Sequence, residues 1–241
     1  MGNKSCKCEK PQINTQTNTQ PNTQSNTQPN TQSNTEKPKF SSWEEEILYH
    51  HNKIREENGL TPLVWDSSLQ TKAQDWVKFL VEKDQNGMCT KDGRNRHPGE
   101  GTRATPEEKE TYLPKNWGQN IFQSNGAKIT PEGKPVPYDP STPIGSVNAW
   151  YKECKDYTNK MDKQGVPVGW YNSEKPIGHF TQLMWKDARK LGCASFPCYS
   201  DNFILKNEKI KTKGSVYVCN YDKGNVAGQF KEQVKWPVNK C

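Results

Sequence analysis

The stretch Gly178–Trp185 reads Gly-His-Phe-Thr-Gln-Leu-Met-Trp, and it constrains the fold more strongly than the rest of the chain. It is followed by Leu191–Ala194, which reads Leu-Gly-Cys-Ala, and by Val218–Asn225, which reads Val-Cys-Asn-Tyr-Asp-Lys-Gly-Asn. A run with Gly, His, Gln and Trp at fixed places is far less probable by chance than a two-residue pattern. The three runs together therefore form a sequence signature.

The composition divides the chain into a repetitive part and a part able to fold. Only 30% of the 241 residues are hydrophobic, which is below the usual fraction for a globular domain. The deficit lies in residues 12–40, where Asn-Thr-Gln repeats with Pro or Ser spacers cannot bury enough apolar surface to offset the entropy of ordering. We therefore expect a disordered tether at 12–40, one folded domain at 41–232 and a C-terminal tail at 233–241.

Residues 1–11 carry an acylation pattern. The chain begins Met-Gly, so Gly2 suits myristoylation and Cys6 and Cys8 suit palmitoylation, although Cys6 stands where the consensus has Ser or Thr. One myristoyl chain binds membranes weakly, so acylated cysteines or nearby lysines would have to assist it. The pattern predicts membrane association through an N-terminal anchor. Two alternatives stay open. Met-Gly could be residues added for recombinant expression, or a signal peptide could already have been removed from an extracellular protein.

The charge of the chain indicates the class of its partners. A net charge of +7 favours acidic partners, including anionic lipid headgroups. The basic residues are scattered rather than gathered into a patch with aromatic residues, which argues against nucleic acid. No apolar run reaches the length needed to cross a bilayer. Lipids or a membrane surface are therefore the expected partners, with proteins as the alternative.

Helix signals occur early in the domain and again around the signature. Ser42, with a glutamate three residues later, forms a capping box for a helix at 43–57. Asp66 caps a second helix, and Pro143 suits the first turn of a third. The signature residues 178–186 are expected to form a short helix.

Strand signals lie mainly in the last quarter of the chain. Leu191–Phe196 and Val216–Tyr221 are apolar, β-branched or aromatic runs, joined by a polar excursion at 199–214. Residues 85–116 and 122–142 are rich in Gly, Pro and Lys and are expected to be long loops. Helices followed by strands, without βαβ alternation, indicate an α+β fold.

The signature resembles that of the CAP superfamily, which contains cysteine-rich secretory proteins, antigen 5 proteins and plant pathogenesis-related proteins. The resemblance covers about residues 42–230. It implies a three-layer α-β-α sandwich with a central antiparallel sheet. Family members are usually secreted, but the N-terminal Met-Gly is similar to the start of a membrane-anchored mammalian relative, the Golgi-associated plant-pathogenesis-related protein.

The domain contains an even set of cysteines, which in an extracellular protein suggests three bridges. They are Cys89, Cys154, Cys193, Cys198, Cys219 and Cys241. The spacing of Cys193, Cys198 and Cys219 is similar to that of plant pathogenesis-related proteins, in which these cysteines are oxidised. The connectivity cannot be read from the spacing, and Cys241 is expected to be the one left unpaired if the set is not fully bridged.

In CAP proteins two histidines and two acidic residues face one another across a cleft, and the resemblance places four residues of this chain there. His179 lies in the signature, and Glu153 lies in the family's Trp-x-x-Glu motif. Gln119 replaces the usual carboxylate in the Gly-Gln-Asn-Ile run at 118–121, and His97 takes the place of the first histidine by position.

These four residues limit the chemistry of the cleft. His97 and His179 are the expected ligands for Zn²⁺ or another divalent cation, with water in the remaining positions, although no cofactor is required. Gln119 cannot move protons, so Glu153 is the remaining candidate base. The chain has no Gly-x-Ser-x-Gly and no His-Glu-x-x-His motif. We therefore predict a non-enzymatic protein; the alternative is a metal-dependent hydrolase or protease that uses Glu153 and His179.

Family members bind sterols, fatty acids or acidic phospholipids, so the resemblance implies lipid binding at a membrane or cell surface. The stretch Phe122–Ile144 corresponds to the family's sterol-binding loop but has few large apolar residues, so acidic phospholipid fits better than sterol. A surface module that binds other proteins is a further hypothesis.

The remaining motif residues and four of the tryptophans are expected to have structural roles. His51 and Arg55 belong to the family's His-Asn-x-x-Arg motif on the first helix, whereas His50 is expected to be exposed. Four tryptophans are expected in the core: Trp65, Trp76, Trp150 and Trp185.

Overall fold

The computed structural model describes residues 38–91, 94–102, 104–129, 132, 135–137, 143–172, 174–205 and 208–241. Every helix and strand given below belongs to one structural unit, Lys39–Cys241. The predicted anchor at 1–11, with Gly2, Cys6 and Cys8, lies outside the described residues, as does nearly all of the tether at 12–40.

The α-helices of the described residues are 4 to 15 residues long. They are α1 (Trp43–Glu57), α2 (Ser67–Phe79), α3 (Pro106–Tyr112), α4 (Pro143–Tyr151), α5 (Gly178–Leu183) and α6 (Phe230–Gln233). Ser42 caps α1 and Asp66 caps α2 through side-chain oxygens that accept main-chain N–H groups, as predicted. Helix α2 continues into a π-helical turn, Leu80–Asp84, and α4 into a 3₁₀ turn, Lys152–Lys155.

Helix α3 corrects the expectation of one long loop over 85–116. Pro106 occupies its first turn, and Glu107 and Glu108 follow it. Proline at the first helical position with acidic residues behind it is a recognised start signal, because its fixed φ and absent N–H cost nothing there. The signal was present in the sequence as Thr-Pro-Glu-Glu.

The main sheet has four strands in the order β1-β5-β6-β2. They are β1 (Val64–Trp65), β2 (Gly118–Ser124), β5 (Lys190–Leu205) and β6 (Glu208–Tyr221), while β3 (Ala127–Ile129) and β4 (Pro135–Pro137) form a separate two-stranded sheet. Strands β2, β5 and β6 pair antiparallel, and the short β1 runs parallel to β5. The predicted α+β class is confirmed, with this parallel edge as a local addition.

Alternation along the central strands creates the three layers. Where β5 and β6 contribute to the core, their odd-numbered residues pack with α1, α4 and α5, and their even-numbered residues pack with α2. Successive strand side chains point to opposite faces, so each face buries its own set. The odd set includes Leu191, Cys193, Cys219 and Tyr221, and the even set includes Ala194, Cys198, Val216 and Val218.

The polar excursion expected at 199–214 is instead the outer part of a long hairpin. Strand β5 extends to Leu205 and β6 begins at Glu208, with pairing from Leu205↔Glu208 inward and a bulge between Ser200 and Phe203. Cross-strand hydrogen bonds satisfy the backbone of a strand whatever its side-chain polarity. The polar composition of 199–214 therefore does not mark the end of the strands.

All six domain cysteines are paired. The bridges are Cys89–Cys198, Cys154–Cys241 and Cys193–Cys219, with S–S distances of 2.01, 2.14 and 2.09 Å. Cys241, the cysteine expected to be left unpaired if one were, is bonded to Cys154, because the last residues fold back onto the domain.

The segment 233–241 is packed rather than free. Val234 forms an isolated bridge with Trp185, and Trp236 packs edge-on against Tyr157 and Phe180. This packing brings the end of the chain to Cys154.

Buried polar residues of α1 connect it to the sheet. His51 is fully buried; its Nδ1 lies 2.8 Å from the Ile47 carbonyl oxygen and its Nε2 lies 2.8 Å from the Tyr221 hydroxyl. His50, expected to be exposed, is partly buried beside Phe40. Of the four predicted core tryptophans, Trp76, Trp150 and Trp185 are buried and Trp65 is half-buried.

The burial of His51 predicts acid sensitivity of the fold. Burial lowers the pKa of His51 from 6.5 to about 4, so between these values the unfolded chain binds a proton that the folded chain does not. The free energy of unfolding should therefore fall by about 3 kcal/mol as the pH drops from 6.5 to 4. Urea denaturation at a series of pH values would measure this slope. His51→Gln should flatten it, and equal slopes in the two proteins would contradict the assignment.

Candidate functional site

The loop that carries His97 is held by a half-buried cation, Arg96. Arg96 forms an ion pair with Asp84 and a two-pronged pair with Glu108, at 2.6 and 3.1 Å, and its guanidinium lies 4.9 Å from the Trp76 ring centroid. The arginine lowers the pKa of Glu108, which keeps that carboxylate charged. These contacts connect the loop to α2 and α3 and so fix the position of His97.

A directional chain of hydrogen bonds sets the proton on His97. The Asn220 Nδ2 donates to the Leu69 carbonyl oxygen at 3.2 Å, so the Asn220 Oδ1 is the atom that accepts from Gln119 Nε2 at 2.9 Å. Gln119 Oε1 is then left to face His97 Nδ1, at 2.8 Å. An amide oxygen only accepts, so His97 carries its proton on Nδ1 and its Nε2 has a free lone pair.

Glu153 positions the second histidine. Its Oε1 lies 2.5 Å from His179 Nδ1, and its Oε2 accepts the main-chain N–H groups of His179 and Phe180, each at 3.0 Å. The carboxylate thus caps the first turn of α5 and orients the imidazole at the same time. His179, like His97, is left with Nε2 as its free ring nitrogen.

The four residues named from the sequence line one cleft. Two adjoining cavities of about 310 and 420 Å³ share His97 and His179; the first also contains Gln119, and the second Glu153. Burial lowers the pKa of His97, and charge on the nearby His179 lowers it further. The structure therefore brings the four side chains together, while their role in ligand binding stays a prediction.

Two asparagines support the cleft without having been predicted as functional. Asn220 completes the chain to His97, and Asn120 Nδ2 donates to the His179 carbonyl oxygen at 3.1 Å and to the Tyr221 hydroxyl at 3.3 Å. Both are fully buried within apolar strands. A buried polar residue at such a position usually has a specific partner, and this was the available signal in the sequence.

The donor set suits a cation only partly. Within the described ranges, no three His, Cys, Asp or Glu side chains converge so that they could hold a metal ion. The ring nitrogens left open on His97 and His179 are the two Nε2 atoms, because both Nδ1 atoms are already engaged. Gln119 offers no anionic oxygen as a third ligand.

The predicted lipid loop, Phe122–Ile144, is described by the structure except at nine of its residues. Residues 130–131, 133–134 and 138–142 lie outside the described residues. Phe122 is half-buried against Tyr217, and Ile144 is 39% exposed. In the part of the chain that the structure covers, no helix has both the length and the apolar character of a membrane span.

Comparisons with known proteins agree with the signature. Residues 48–221 match the family model for CAP, the cysteine-rich secretory protein family. The chain is 29% identical over 184 residues to the fruiting body protein SC14 of Schizophyllum commune, which aligns 76% of this chain with 62% of that protein. It is 28% identical over 195 residues to the pathogenesis-related protein PR-1 of Medicago truncatula, covering 79% of this chain and 80% of that protein.

Solved structures show a more distant likeness. The venom allergen-like protein 4 of Schistosoma mansoni aligns with a TM-score of 0.44 and 18% identity, covering 83% of this chain and 97% of the other. The matched part of the chain spans less than two thirds of SC14, so the properties of that whole protein do not transfer directly.

Proposed function

The chain belongs to the cysteine-rich secretory protein (CAP) family, and we propose that it is a non-enzymatic binding protein that acts outside the cell or at a membrane surface. Its cleft takes a divalent cation through His97 and His179, and its surface partner is an acidic phospholipid layer. Sterol and fatty acid are weaker alternatives for the lipid.

One observation carries the non-enzymatic part of the proposal: the side chains next to the two histidines, Glu153 and Gln119, already use their polar atoms in hydrogen bonds within the protein. Glu153 accepts from one imidazole and two main-chain N–H groups. Gln119 is a neutral amide with its oxygen and its nitrogen both hydrogen-bonded. A general base needs a lone pair directed at the substrate and a pKa suited to proton transfer. These two residues act instead as supports for the imidazoles.

The cation part of the proposal rests on the two Nε2 atoms. A bound divalent cation would supply a positive charge that can hold an anionic group, with water completing its coordination. Because only two protein ligands are provided by the described residues, binding is weaker than at a three-ligand site.

The extracellular part is supported by the bridges and the family. Three disulfides link the described domain, and such bonds persist mainly in oxidising compartments. The net charge of +7 supports attraction to an acidic lipid surface.

A set of assays on the purified protein tests this function. We expect Zn²⁺ binding by calorimetry, weakened about tenfold or more by His97→Ala or by His179→Ala, and unchanged by the control His50→Ala. Protease and esterase substrates should show no turnover with or without Zn²⁺. Metal-dependent turnover that disappears in Glu153→Gln, a variant that keeps an acceptor for the α5 N–H groups, would replace the proposal with a hydrolase.

The surface partner is tested by vesicle flotation of the native protein. Vesicles that contain phosphatidylserine should carry the protein, and vesicles of phosphatidylcholine alone should not. A variant that lacks residues 1–8 separates the two sources of binding: its loss of flotation assigns the contact to the N-terminal anchor, and retention assigns it to the domain. Equal flotation with both vesicle types would overturn the acidic-lipid proposal.

A further inference from the structure

An open groove of about 620 Å³ lies beside the cleft. Its walls come from α3, from segment 113–118, from Trp170 and from residues 224–226. It shares four residues with the cleft: His97, Gln119, Trp170 and Asn225. Sites for small molecules usually have volumes of about 300–1,000 Å³. The groove is therefore large enough for a ligand of its own.

Two tryptophans face this groove from separate parts of the chain. Trp117 is the last residue of a turn that is closed by a hydrogen bond from its N–H to the Pro114 carbonyl oxygen, at 3.1 Å. Trp170 follows a similar turn, with its N–H bonded to the Pro167 carbonyl oxygen at 3.0 Å, and its ring packs edge-on against Phe230 at 4.9 Å. Both are half-buried.

These positions differ from those of the core tryptophans. Trp76, Trp150 and Trp185 are at most 2% exposed, so the chain does bury indole rings where they serve packing. A partly exposed tryptophan leaves apolar surface in water, and two of them on one groove indicate a contact surface. Because Trp170 is packed against the domain on one side, its ring is already ordered before a ligand arrives.

The polar groups of the groove are balanced in charge. Its described walls contain two lysines, Lys109 and Lys115, and two glutamates, Glu100 and Glu110. They also contain the amides of Asn116, Gln119 and Asn225. Equal numbers of opposite charges do not favour a strongly charged ligand, while amides and charged groups can each bond a hydroxyl.

A buried amide, that of Gln182, packs behind two glycines that line the groove. A Cβ added to Gly118 or to Gly224, both of which line the groove, would lie 1.9 or 1.7 Å from Gln182 Oε1. Gln182 is fully buried and its Nε2 donates to the Lys223 carbonyl oxygen, but Oε1 has no hydrogen-bond partner among the described residues. The two glycines let the Gln182 amide pack close behind this wall, and because Gln182 is fully buried it supports the wall without contacting a ligand in the groove.

We propose that this groove binds a neutral oligosaccharide, with sugar rings against Trp117 and Trp170. A pyranose ring has an apolar C–H face that packs on an indole and a rim of hydroxyls that donate and accept hydrogen bonds. The two tryptophans match the apolar face of such a ring, and the amides and balanced charges of the groove match its hydroxyls. A lipid chain would instead require a continuous apolar wall. The site does not use the cation of the neighbouring cleft.

Titration with neutral tetrasaccharides tests this inference. Glucose, mannose and N-acetylglucosamine tetramers would be added to the full chain, with tryptophan fluorescence and calorimetry as readouts. At least one should bind, and Trp117→Ala and Trp170→Ala should each weaken it by about tenfold or more. Trp117→Phe and Trp170→Tyr retain an aromatic ring and should lose less, which separates lost stacking from a damaged fold. Binding should persist with EDTA, so its outcome is independent of the cation proposal.

The exposed aromatic Tyr49 on α1, 38% exposed and outside the groove, provides a matched control. Tyr49→Ala should leave saccharide binding unchanged. Absence of binding to all three tetramers at millimolar concentration would overturn the proposal, as would binding insensitive to both alanine variants. Loss of phosphatidylserine flotation in the same variants, without saccharide binding, would overturn it in favour of a lipid surface.

Discussion

Arg55→Met should lower the free energy of unfolding by about 3–5 kcal/mol, because the replacement leaves a group of buried carbonyls without donors. Arg55 is fully buried, and burial lowers its pKa to about 10. Its guanidinium donates to four main-chain oxygens at 2.8–3.1 Å, those of Thr61, Leu183, Trp185 and Ala188. It therefore joins α1 to the segment that follows α5 and leads into β5.

Urea denaturation followed by tryptophan fluorescence measures this loss. Arg55→Lys keeps the charge but has fewer donors, so its stability should lie between those of the wild type and Arg55→Met. Lys53 is an exposed basic residue of the same helix, and Lys53→Met should change stability by less than about 0.5 kcal/mol. A loss in Arg55→Met no larger than that of Lys53→Met would show that the four carbonyls are satisfied in another way.

Removal of the Cys89–Cys198 bridge should cost about 5 kcal/mol, since it closes the longest loop of the three. Its sequence separation is 109 residues, against 26 for Cys193–Cys219. A crosslink restricts the unfolded chain more as the loop grows, so loss of the shorter bridge should cost about 3.5 kcal/mol. Both pairs are buried, so the packing loss is similar in the two cases.

The comparison uses paired Cys→Ala replacements, which leave no single thiol behind in the bridge. Equilibrium unfolding without reductant would give both free energies. If the variant without Cys193–Cys219 were the less stable of the two, loop length would not be the main determinant. The native packing around that bridge, in the centre of the sheet, would then contribute more to the free energy of unfolding.

The sequence predicted the parts of the fold in which local signals agree. Helices α1 and α2 combine a capping residue with apolar periodicity, and both were correct in type and position. The outer hairpin was missed because its polar residues lack the alternation of a half-buried strand, although their backbones still pair. Helix α3 was missed because its length, seven residues, leaves little periodicity to detect.

The site was predictable where short motifs fix the residues. Glu153, Gln119 and His179 were found by motif and His97 by position, and all four line the cleft. The direction of the hydrogen bonds was not predictable, because it depends on Asn220 and on a carbonyl of α2 that is distant in sequence. The pairing of Cys154 with Cys241 was likewise hidden, since connectivity follows from packing and not from spacing.

The two imidazoles of the cleft are unequal partners. One is supported by a carboxylate, Glu153, and the other by a neutral amide, Gln119. A carboxylate makes the ring it contacts a stronger electron donor than an amide does. Of the two free ring nitrogens, the Nε2 of His179 is therefore the better electron donor to any electrophilic group that the cleft binds, and the Nε2 of His97 is the weaker one.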